Sequence, residues 1–310
     1  MPTPQSDRFA WRDRIALLDN NSDCREIVRI LHHHEFPWDL IQAESLAQFR
    51  TFAVPSIGQL LYATGEYTER VQKRFDDTAL ILGTFIEHDF GSEIGRRAIR
   101  RLNNMHGAYD IANGDMLYTL TTLVVGPVRW ISRYGWRDLT DHEITALTNH
   151  LRTVGHHMGI KEIPTTYADF VTFHDDYERT HFAYSAGGRA VADSTLDLMA
   201  TFPPNDLIPP SMAKRIARAL MDEPLANALG YRRPSAVERV LVSTVLKARG
   251  RLIRRTAPRT RPLPTSALPY IRSYPNGYNV EDLGTFPRGC PVPHSEPKSP
   301  DTRTGGERTV

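Results

Sequence analysis

The sequence predicts an all-α fold. Three observations carry this. Apolar residues recur at three- and four-residue intervals in segment after segment, two capping-box patterns open helices, and strict alternation of apolar and polar residues is nearly absent. With 310 residues, 40% hydrophobic and 24% charged, the chain has the composition of a folded globular protein. We expect a single helical domain over residues 10–255, followed by a Pro-rich C-terminal arm over residues 256–310.

The elements follow in chain order. Over 70–87, Val71, Phe75, Thr78, Leu82 and Phe85 fall at helical intervals. Over 92–109, Ile94, Ala98, Leu102, Met105, His106 and Tyr109 form one stripe. The stretch 116–134 is predicted helical, with Asp115 as its N-cap. Thr140 and Glu143 form a capping box that opens a helix to about Met158, where Gly159 fits the stop. Residues 167–184, 189–201 and 212–228 read as helices, the last after the break at Pro209 and Pro210. Ser235 and Glu238 form the second capping box and start a helix that becomes strongly basic towards Arg255. Ten of the 22 prolines then lie between Pro258 and Pro300 with little apolar periodicity, so the arm is expected to be extended, docked in parts and loose at its end.

Composition excludes several classes. Lys and Arg total 38 against 36 Asp and Glu, a balance unlike that of a dedicated nucleic-acid binder. The N-terminal stretch is charged and has no signal-peptide core, and Cys24 and Cys290 form no CxxC pair, so a cytoplasmic protein is expected. The longest apolar stretch, 116–131, is shorter than the ~20 residues of a spanning helix and carries Thr119, Thr121, Thr122 and Arg129. We read it as a buried helix.

Common phosphate-binding, nucleophile-elbow and zinc-protease motifs are absent, so the candidate chemistry rests on the twelve histidines and their neighbours. His32, His33 and His34 point in three directions on a helix and read as a solvated helix end. Of His156 and His157, one is expected inside the core. His174 and His181 share a face, yet a zinc there needs further ligands. His106 differs because it lies in an apolar stripe beside Leu102 and Met105, the setting of a satisfied core histidine or of a proximal haem ligand. Arg74 and Thr78 share a second face with Ile81 and Phe85. A guanidinium aimed inward demands an anion: Asp77, a haem propionate or a substrate.

At these residues the chain resembles the mpaB-type oxygenases, relatives of the rubber oxygenases called latex clearing proteins. The motifs are Arg74-Phe-Asp-Asp-Thr78, His106 within RRLNNMHGAYD, and Asp115-Met before a long helix. The likeness continues through RYGWRDLTDHE, LRTVGHHMGIKEIPTTYADF and PYIRSYPNGY, and covers roughly residues 25–285. The mpaB-like branch fits best through the C-terminal half and arm. The resemblance implies a globin-like, haem-binding helical core. It implies haem b with His106 as the proximal iron ligand, and Arg74 and Thr78 beside the haem. Rubber oxygenases carry a lysine where this chain has Asp77. They also carry a distal glutamate about four helical turns earlier, where this chain reads VPSIGQLLY, with Gln59 and no carboxylate. We therefore take Arg74, Asp77 and Thr78 as the candidate catalytic residues and His106 with Arg74 as the cofactor-binding ones.

By this resemblance the chain is a haem b-dependent oxygenase that uses O2 on an apolar, isoprenoid-like small molecule. The substrate is expected against Ile81, Leu82, Phe85, Leu123 and Val124. The alternatives are a haem enzyme of another reaction type, such as a peroxygenase or dehydratase, and a non-catalytic helical interaction module. Residues 247–261 hold seven cations, among them Lys247 and Arg261, and no acid. With Leu246, Leu252 and Ile253 interleaved, this stretch reads as a peripheral membrane contact or as a solvated helix end.

Overall fold

The computed structural model describes residues 7–284. Among them the chain forms fourteen α-helices and no strand. These are α1 (Ala10–Ile15), α2 (Cys24–Ile30), α3 (Pro37–Phe52), α4 (Pro55–Thr64), α5 (Glu66–Glu69), α6 (Val71–Glu87) and α7 (Glu93–His106). They continue with α8 (Asn113–Tyr134), α9 (Asp141–His157), α10 (Tyr167–His181), α11 (Ala186–Met199), α12 (Pro210–Ala219), α13 (Glu223–Ala228) and α14 (Ala236–Ile253).

The centre of the molecule is α8, which lies against α3, α9, α10 and α14. Its apolar length becomes the core: Leu117, Tyr118, Leu120, Val124, Val125 and Ile131 are buried. Where α3 crosses it, Gly126 faces Ala43 and Ala47, and these small residues let two backbones approach. Both predicted capping boxes are formed in full, Thr140 with Glu143 on α9 and Ser235 with Glu238 on α14. Each satisfies two of the amides a helix start leaves unpaired.

Three helix starts differ from the sequence expectation. Asp115 does not cap α8, which begins earlier behind Ala112. Asp115 sits buried in the first turn and accepts hydrogen bonds from Ser56 (3.0 Å) and Tyr177 (2.7 Å), so it ties α8 to α4 and α10. The 212–228 helix is two, because Asp222 starts α13 by accepting from the Leu225 amide (3.0 Å) and Pro224 cannot continue α12. α11 begins ahead of Arg189 and includes Gly187 and Gly188. A Cβ on Gly188 would lie 2.2 Å from the Phe52 carbonyl oxygen, and one on Gly58 2.7 Å from the Gly188 Cα. These glycines are there so that α4 and α11 can touch.

The arm folds back on α6 and α7. Asp76 accepts the backbone amides of Arg272 (3.0 Å) and Ser273 (2.8 Å), while Gln72 donates to Asp76 (2.8 Å) and to the Tyr270 carbonyl (2.9 Å). Leu268 and Tyr270 close a small cluster with Phe75 and Phe202, and Leu283 is fully buried. The loose end expected of the arm lies outside the described residues.

Candidate active site

Arg74 and Thr78 sit one turn apart on α6. The Thr78 hydroxyl donates to the Arg74 carbonyl (2.9 Å), and the Arg74 guanidinium donates to the Thr78 oxygen. The guanidinium also lies 5.1 Å from the centre of the Tyr67 ring, a cation–π contact. Tyr67 is buried, and its oxygen accepts from Gln48 (2.6 Å). Burial pushes its phenol up and the charge of Arg74 partly opposes that. Among the described residues no carboxylate forms a salt bridge with Arg74. The neighbouring acids are taken: Glu66 by Arg70, Asp77 by Lys73 (2.8 Å).

His106 is the last residue of α7, so the helix ends three residues short of the stretch expected. Its Nδ1 is buried without a hydrogen-bond partner. Burial first, and then the nearby charge of Arg74, lower its pKa to about 4. At neutral pH it is an uncharged imidazole with a lone pair, the form a metal ligand needs. Leu102 and Met105 of the same helix pack on the main core cluster. Arg74 is thus the hub of the site, joined to Thr78 and Tyr67 by contact and to His106 by its field.

Asp77 belongs elsewhere. It is 2% exposed, ion-paired with Lys73 and hydrogen-bonded by the Tyr274 hydroxyl, so it clamps the arm. Gln59 lines the close approach to Gly187.

One to two turns beyond Thr78 lies an internal cavity of about 30 Å³, room for roughly one water molecule. Leu82, Phe85 and Leu123 line it, whereas Ile81 and Val124 are buried in the core. Its far corner is polar. His32 bonds to Glu44 (2.8 Å), and although burial opposes the charge, Glu44 outweighs it and raises the pKa of His32. His150 faces the same cavity; burial, then the charges of His32 and Arg25, lower its pKa to about 3.

The remaining histidines correct the sequence reading. His33 and His34 are buried, not solvated, because the chain widens into a π-turn over Leu31–Glu35 that changes the direction in which these side chains point. His34 stacks on Trp11 (4.0 Å) and bonds to the Arg259 carbonyl (3.0 Å). Neither His156 nor His157 is in the core: both are exposed, and Gly155 takes the inward position, where a Cβ would meet Leu120 at 2.6 Å. His174 engages Asp175 (2.9 Å) and His181 stacks on Tyr177 (3.9 Å). Among the described residues no group of three or more His, Cys, Asp or Glu is placed to hold a metal ion.

The sequence pass missed Tyr67, Glu44, and the cavity roles of His32 and His150. Tyr67 is separated from Arg74 by the break between α5 and α6, so no single periodicity links them. His32 and His150 meet only because α2 lies against α9.

The described residues form an all-helical domain. Residues 32–255 match the family described as ER-bound oxygenase mpaB/B'/rubber oxygenase, catalytic domain. The chain belongs to that family. It is 28% identical over 242 residues to the ER-bound oxygenase mpaB' of Penicillium brevicompactum, covering 72% of this chain and 57% of that one. It is 29% identical over 241 residues to the ER-bound oxygenase mpaB of Penicillium roqueforti (strain FM164), covering 72% and 80%. The mpaB of Penicillium brevicompactum is 34% identical over 132 residues, or 41% and 34% of the two chains. The chain therefore spans little more than half of the first of these relatives. Among the described residues no helix is long and apolar enough to cross a membrane.

Proposed function

We propose that the chain is a haem b-dependent oxygenase that acts with O2 on an elongated, apolar, isoprenoid-like molecule. The observation that carries this is the pairing of a half-buried, neutral imidazole at His106, whose Nδ1 is buried without a partner, with a cation, Arg74, that has no acidic partner among the described residues. A haem offers what each lacks, an iron for the one and a propionate carboxylate for the other. Haem b, when bound, supplies the redox chemistry of dioxygen activation.

The rest is the work of this chain's own residues. His106 would hold the cofactor through its lone pair, which burial and the charge of Arg74 keep free of a proton at neutral pH. Arg74 carries a positive charge with no acidic partner among the described residues. Its field favours anionic groups and negative charge that develops during the reaction. The Thr78 hydroxyl donates to the Arg74 carbonyl and accepts from the Arg74 guanidinium, so its oxygen is fixed in place. Leu82, Phe85 and Leu123 form an apolar wall, and because the space they enclose is about 30 Å³, an elongated substrate requires these side chains to move apart. Asp77, committed to Lys73 and Tyr274, secures the arm rather than the site.

The test is the absorption spectrum of the haem-loaded protein and its His106→Ala variant, with circular dichroism as a check on folding. The folded variant should lose the stoichiometric Soret band. A variant that keeps that band with unchanged axial ligation overturns the assignment. With isotopically labelled O2, the label should enter the product, and peroxide should not replace O2; the opposite result would indicate peroxygenase chemistry.

A further inference from the structure

The face that α14 turns to solvent is aliphatic. Val237 (76% exposed), Val240 (65%), Leu241 (62%), Val245 (59%) and Leu252 (64%) stand on one side of the helix, at the three-, four- and seven-residue spacings that align side chains. The stripe is roughly 22 Å long at 1.5 Å per residue. On the adjacent α12, Met212 and Ile216 extend it. The inner face is what the core holds: Leu246 and Ile253 pack inside, and Arg249 reaches Asp39 (3.0 Å) across the Trp38 ring. So of the three apolar residues the sequence placed on this basic stretch, Leu252 alone faces water.

Cations border the stripe. Lys247, Arg251, Arg254 and Arg255 form no salt bridge among the described residues, and all are exposed. At the edge of the stripe Lys247 joins Val128, Arg129, Ser132, Arg133 and Tyr167 around an open cleft of about 580 Å³. Arg129 is held there by Asp175 (2.8 and 2.9 Å), while Arg133 lies over Tyr134 (5.3 Å) with its charge uncompensated. The one acid on the helix, Glu238, is bound by Arg215 and the cap at Ser235.

We propose that this face docks on a membrane surface rich in anionic lipid. The aliphatic stripe enters the acyl boundary, and the Arg133–Ser132–Lys247 cleft receives a lipid phosphate. A large exposed apolar stripe needs a cover, and the ring of unpaired cations selects an anionic one. A second copy offers this face little counter-charge, because the one acid of α14, Glu238, is already bound by Arg215. Docking here would also place the protein where an apolar substrate dissolves.

The test is co-sedimentation of the full chain with phosphatidylcholine vesicles, with and without phosphatidylserine. We expect binding to the mixed vesicles at least about tenfold tighter than to neutral ones, given roughly a factor of five to ten per engaged cation. The double variant Lys247→Glu/Arg251→Glu should lose that preference. The double variant Leu241→Asp/Val245→Asp should lose binding to both kinds. These sites are exposed, and circular dichroism checks that both variants fold. Binding indifferent to anionic lipid, or unchanged in the Leu241→Asp/Val245→Asp protein, overturns the proposal. So does a concentration-dependent dimer that this variant abolishes in the absence of lipid affinity. Lipid binding is read without activity, so its failure leaves the oxygenase assignment standing.

Discussion

Replacing His150 with leucine should make the protein less sensitive to acid. His150 is 3% exposed and has its pKa lowered to about 3, first by burial and then by His32 and Arg25. In the unfolded chain it returns to about 6.5. A depressed folded pKa means that the unfolded chain takes up a proton that the folded chain refuses. The stabilisation present at neutral pH is therefore lost as pH falls from about 6.5 towards 3. Between pH 6 and pH 4 the mismatch is nearly one full proton, which amounts to ~1.4 kcal/mol of stability per pH unit. Leucine is of similar size, apolar, and faces Leu82, Phe85 and Leu123 across the cavity, so it should cost little at pH 7. His33 and His106, each lowered to about 4, titrate in the same direction in both proteins, so the difference isolates His150. His32 has the opposite sign: its raised pKa adds stability below its unfolded value that fades as pH rises through the folded one. The assay is urea unfolding followed by circular dichroism at pH 6, 5 and 4. The wild type should lose stability more steeply than His150→Leu by the slope above. Parallel losses in the two proteins would refute the picture of a neutral, buried imidazole.

Other expectations follow from single contacts. Tyr274→Phe removes the donor to Asp77 and should cost about 1–2 kcal/mol, with faster amide exchange confined to residues 268–284. Gly188→Ala would force a Cβ to 2.2 Å from the Phe52 carbonyl oxygen, and a destabilisation of about 1–3 kcal/mol should appear in thermal unfolding. Arg74→Leu removes the positive charge that helps hold His106 neutral. The His106 titration midpoint, followed by NMR, should move up, and haem affinity should fall.

The helices from Arg70 onward were legible because each combines a 3.6-residue apolar rhythm with a boundary residue of known chemistry, as Thr140 and Ser235 illustrate. The helices before it were not. Pro37 and Pro55 mark the first turns of α3 and α4, a signal available in the sequence, but α5 is a single turn with no period of its own. At α11 the glycine pair discouraged a helix that tertiary contact with α4 requires. Within the site, Arg74 and Thr78 were readable as one helix face, since their bond is local. The cavity corner was not, since Glu44, His32 and His150 sit on three segments that only the packed fold brings together.

The replacement of a lysine by Asp77 suggested a site with altered charge. The geometry of α6 argues otherwise. Residues 73 and 77 lie one helical turn apart, as do 74 and 78, and the two rows are rotated by one residue step. The first row faces the arm, where Lys73 and the Tyr274 hydroxyl neutralise Asp77. The second faces Tyr67 and the field of His106, where Arg74 has no counter-charge among the described residues. An acid on the first row therefore does not cancel a cation on the second. The field at His106 is set by Arg74, and it stays positive. It follows that Asp77→Asn should leave the His106 titration where it is while loosening the arm, and Arg74→Leu should do the reverse. If Asp77→Asn shifts His106 as far as Arg74→Leu does, the two rows are one electrostatic unit and Asp77 belongs to the site after all.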